Sequence, residues 1–82
     1  MTRRQREWIE YKLTFLYRTS DKIEARMDKA EAEKDNDKFD RLSRKDDVLV
    51  GQISIMYDVL SVLGYCVKYD DERNVAIVLE RN

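Results

Sequence analysis

Two runs of apolar or small residues, spaced alternately by three and four, occupy most of this chain before the period changes to two. The first run is Ile9, Leu13, Leu16, Ser20, Ile23, Met27 and Ala30. The second is Phe39, Leu42, Asp46, Leu49, Ile53, Met56, Leu60 and Leu63. Such spacing sets every member on one seam of a helix. Beyond Gly64 the alternation is that of strands. The pattern predicts an α+β fold, an antiparallel helical hairpin of two long helices followed by a C-terminal β-hairpin packed on its broad end.

The ends of these elements carry their own signals. Thr2 can cap the first helix while Gln5 reaches back, so this helix is expected from about residue 3 to about residue 34. Asp35-Asn36-Asp37 is the break, and Asp37 is the expected cap of a second helix, about 37 to about 63, ended by Gly64. So short a link makes the helices antiparallel. Ala30 then faces Phe39, Leu16 faces Ile53 and Ile9 faces Leu60. Asp46 falls near Ile23, within reach of Lys22 or Arg26, as a polar residue that fixes seam register.

A second apolar stripe flanks each seam on the half distant from the link. Trp8, Tyr11 and Phe15 lie roughly 80 to 140° to one side of the first seam, at about 100° per residue. Val48, Gly51, Ile55, Val59 and Val62 take a similar offset of the same sign on the second. In an antiparallel pair, equal offsets of one sign share a side. The stripes form a platform on which the hairpin, about 65 to 80, is expected to dock, with Gly51 permitting close approach. Collecting the apolar residues on one face pairs Tyr69 with Ile77 and Val67 with Leu79, around a turn with Asn74 in the left-handed position.

Residues 1–82 suit a single domain with a modest core. With a net charge of −1, a global pull toward nucleic acid is absent. Cys66 is the only cysteine, which excludes an intrachain disulfide and fits a reducing, cytoplasmic setting. No apolar run approaches the ~20 residues of a membrane span, and no membrane association is expected. The chain lacks histidine, a Gly-rich phosphate loop and metal-ligand spacing. The expectation is therefore a non-enzyme with no catalytic residues, no metal and no cofactor.

Charge is sorted along the half nearest the link, a charged prong. Arg18, Lys22, Arg26 and Lys29 share the platform's side of helix 1, and Arg41, Arg44 and Lys45 share it on helix 2. Asp21, Glu24, Asp28 and Glu31 take the other side, with Asp40 and Asp47 matching them. A solvated face needs no such sorting, so the basic side is a candidate contact for an acidic protein surface or a phosphate backbone. Arg3, Arg4 and Arg6 form a second basic cluster, against the dipole of the first helical turn. On the Val75–Leu79 strand, Ala76 and Val78 are expected on an exposed face. With Val75 they mark an edge suited to pairing, and a homodimer is expected over a monomer.

From Lys38 to Glu80, ending in VLSVLGYCVKYDDERNVAIVLE, the chain resembles small proteins of phages and mobile elements of Gram-positive bacteria. That resemblance implies an accessory role, for example inhibition of a host defence protein, and assigns no residues. The expected function is a non-enzymatic protein-interaction module that occupies a partner's surface. The alternative is a small nucleic-acid binder using the basic side of the prong with the N-terminal arginines.

Overall fold

A computed structural model describes residues 1–81. Its elements are α1 (Arg3–Ala32), α2 (Asn36–Val62), β1 (Tyr65–Asp70) and β2 (Val75–Glu80). Two antiparallel helices followed by a two-stranded antiparallel sheet match the expected α+β architecture. The molecule is elongated, 47 × 26 × 20 Å.

Local chemistry accounts for the element ends. Thr2 and Gln5 form a reciprocal capping box at the start of α1. At its other end Lys34 takes a left-handed φ of 58°. The Lys34 N–H donates to the Glu31 carbonyl and the Asp35 N–H to the Ala30 carbonyl, closing a Schellman motif. Asp35, rather than Asp37, caps α2, because its side chain accepts from the Lys38 N–H. Gly64 ends α2 at φ 87°.

The seam is as expected along both helices except at its last member, Leu63, which is exposed. Leu13, Leu16, Ser20 and Ala30 of α1 are buried, as are Leu42, Asp46, Ile53 and Leu60 of α2. Ile9, Ile23, Met27, Phe39, Leu49 and Met56 are half-buried. Asp46 differs in its partner. It accepts a hydrogen bond from the Ser20 hydroxyl rather than pairing with Lys22 or Arg26. Its carboxylate also raises the pKa of Glu24, with burial and Asp21 adding to the effect.

The sheet departs from expectation in register and in the side on which it docks. Tyr69 pairs with Ala76, Lys68 with Ile77, Val67 with Val78 and Cys66 with Leu79. This one-residue slip turns β2 over, so Ala76 (2% exposed) and Val78 (1%) face the core and Val75, Ile77 and Leu79 face outward. The turn explains part of it. Asp70 accepts from the N–H groups of both Glu72 and Arg73, and Asn74 takes φ 56°, making a four-residue loop.

Docking against α1 supplies the rest. The Ala76 N–H donates to the Thr14 hydroxyl at 2.8 Å and the Val78 N–H to the Glu10 carboxylate at 2.8 Å. Arg18 donates to the Asn74 carbonyl at 2.9 Å. Glu10, Thr14 and Arg18 stand four residues apart on one row of α1. They serve β2 in place of a third strand, and the Thr14 hydroxyl also donates back to the Glu10 carbonyl. Backbone donors at a sheet edge need acceptors, and this polar row provides them where an apolar stripe would not.

The core at the broad end is Leu13, Leu60, Ala76 and Val78, with Ile9, Tyr17, Met56, Tyr65, Val67 and Tyr69 packed around it. Tyr17 meets the Tyr69 ring edge-on at 5.2 Å between centroids, and its hydroxyl bonds that of Tyr57. The Arg81 guanidinium donates to the Ser61 hydroxyl, and the Arg81 N–H to the Gly64 carbonyl. These contacts set the sheet on one side of the helical pair.

Candidate interaction surface

The flank of the helical pair expected to receive the sheet is bare. Rotation at ~100° per residue puts Glu10, Thr14 and Tyr17, which meet the sheet, on one side of the two seams, with Tyr57 and Ser61, which bond Tyr17 and Arg81. Trp8, Phe15, Val48, Ile55, Val59 and Val62 lie on the other. Trp8 is 63% exposed, Ile55 64% and Val62 86%. The two stripes do share a side, as their spacing predicts, but nothing among the described residues covers them. Tyr11 sits at the back of α1, also exposed, lining a groove with Val75 and Ile77.

This face is apolar with one charged residue near its centre. The Lys12 ammonium lies 5.8 Å from the centroid of the Phe15 ring. The close approach expected at Gly51 is not made: among the described residues no atom lies within 4 Å of where its Cβ would be. At the broad end the face runs into a cavity of about 810 Å³, walled by Trp8, Ile9, Leu63 and Tyr65 with Arg4 at its margin.

The predicted basic residues fall into two groups. Arg18 is spent on the sheet, and Arg3 and Arg6 pair with Glu7 at 3.0 Å and Glu80 at 3.7 Å. Arg6 also lies over the Tyr65 ring. Lys22, Arg26 and Lys29 remain exposed along the prong, as do Arg41, Arg44 and Lys45. The latter three surround a shallow cavity with Lys38 and Leu42. The residues proposed for a strand-edge contact are not available as such. Ala76 and Val78 are core residues whose N–H groups are already bonded, and Val75 is half-buried.

The uncovered face therefore has two zones on one side of the molecule, apolar at the broad end and basic along the prong. Its apolar stripes were legible in the sequence; its lack of cover was not. No family model, curated protein or solved structure matches this chain.

Proposed function

We propose that the chain is a non-enzymatic protein-interaction module that acts by occupying a partner's surface with the uncovered side of its helical layer. The exposed stripe of Trp8, Phe15, Ile55, Val59 and Val62 carries this reading. Large apolar residues left wet at helical spacing are costly to solubility, and contiguous patches of this kind mark contact surfaces. The basic prong continuing from it favours a partner with acidic character beside an apolar patch. Inhibition of a host defence protein, the role implied by the resemblance to phage and mobile-element proteins, is one form such occupancy would take.

Affinity capture from the native host tests the reading, with the parent chain and a Trp8→Glu/Ile55→Glu variant run side by side. Proteins retained by the parent and lost by the variant are expected. Identical retention by both would remove the face from the function. Exposed Lys22, Arg26 and Lys29 beside the Arg41–Lys45 cavity support a second reading, phosphate-backbone binding.

A further inference from the structure

We infer that the apolar zone of the uncovered face is the contact between two copies of this chain, packed face to face about a two-fold axis with their prongs pointing in opposite directions. The inference rests on the interaction reading above and names the occupant. Area is the first argument. Trp8, Phe15, Val48, Ile55, Val59 and Val62 together expose roughly 650 Å², above the largest patch of most monomers and near the ~800 Å² per partner of a standard interface. The Lys12 stem and Leu63 extend it.

The thin core is the second argument. Among the described residues eight hydrophobic side chains are buried, while eleven large ones are exposed. Small domains with so little interior commonly gain the rest by association. A two-fold contact needs a self-complementary patch, which a flat apolar zone provides.

Charge selects the orientation. Parallel prongs would lay the Lys22–Arg26–Lys29 row of one copy against its equivalent in the other. Antiparallel prongs avoid this. The apolar zone of α2, from Val48 to Val62, covers roughly 21 Å of helix. That is less than half the 47 Å length of the molecule, so each basic prong projects beyond its partner. The sheet edge is a poorer contact, because the Ala76 and Val78 amides already bond to α1.

Trp8 is the only tryptophan and stands in the proposed contact, so it reports on it directly. Sedimentation velocity from low to high micromolar concentration should show the 9.9 kDa chain doubling in mass. Trp8 emission should shift to the blue over the same range. Ile55→Glu and, separately, Val62→Glu should keep the far-ultraviolet helix signal and weaken association at least ~30-fold. Leu79→Lys, on the outer face of the sheet, should leave it unchanged.

Spin labels at residue 34, introduced as Lys34→Cys with Cys66→Ser, should lie farther apart than the 47 Å length of one chain. A short separation would overturn the antiparallel arrangement. A 9.9 kDa species at every concentration would overturn the dimer. If that monomer still retained host proteins that Trp8→Glu/Ile55→Glu loses, the second copy would be refuted as occupant and the interaction reading would stand. If it instead sedimented with vesicles of anionic phospholipid, a bilayer would replace the second copy. Loss of association in Leu79→Lys but in neither helix variant would move the contact to the sheet and overturn the inference.

Discussion

Lys34 holds a left-handed backbone that an L side chain adopts at a cost of about 1–2 kcal/mol. Its position after α1 is the one glycine favours. Lys34→Gly should therefore raise the melting temperature, by a margin corresponding to about 0.5–1 kcal/mol once glycine's greater freedom when unfolded is counted. Calorimetry of the two chains would check it. A second residue-scale effect belongs to Glu24. The nearby Asp46 carboxylate raises its pKa above the ordinary 4.5, so protonated Glu24 is favoured in the fold. This stabilising contribution is complete below the unfolded pKa and is lost as pH rises through the folded one. Glu24→Gln should thus melt higher than the parent at pH 7 and lose that advantage below the ordinary carboxylate range. A melting series against pH would show the two curves converging in acid. Tyr57 follows the same rule at the alkaline end, since burial raises its pKa above 10.0 and the fold should weaken as pH climbs past that value.

The helices depend on their seam and the sheet on one polar row of α1. Leu16→Ala or Ile53→Ala should each cost about 2–5 kcal/mol in denaturant unfolding, because both side chains are buried between the helices. Thr14→Val keeps the shape but removes the acceptor of the buried Ala76 N–H. A loss of about 1–3 kcal/mol is expected, measured in the same way. These two elements were unequally legible. The helical seam could be read because each member is specified by many neighbours at one period, from Ile9 to Leu60. The sheet could not. Sorting β2 by apolar count put Val75, Ile77 and Leu79 inward, whereas the Asp70 and Asn74 turn and the acceptors on Glu10 and Thr14 selected the opposite face. Polar residues at 10, 14 and 18 were the available signal, four apart beside the seam. Glu10 and Thr14 belong to neither apolar stripe and Arg18 counts with the basic row, so nothing in their spacing marks a strand edge that needs them. The apolar stripes offer the larger apolar area for docking, so spacing alone points the sheet to the face that stays uncovered.

At the scale of the whole molecule, the sheet and the bare face lie on opposite sides of one helical layer, with basic residues continuing along the bare side. If that basic side binds phosphates, affinity for a generic duplex should fall steeply with added salt, and Lys22→Glu with Arg26→Glu should abolish it. Titration by fluorescence anisotropy at low salt would check this, and an absence of binding there would leave the protein-contact reading alone. The side-chain row that closes β2 has a further consequence, for amide hydrogen exchange. Antiparallel geometry alternates the direction of successive N–H groups, so the Ile77 amide points to β1 while Ala76 and Val78 point to α1. Neighbouring amides then report different openings. Exchange at Ala76 and Val78 needs only that the hairpin lift from the helix, whereas exchange at Ile77 needs the two strands to part.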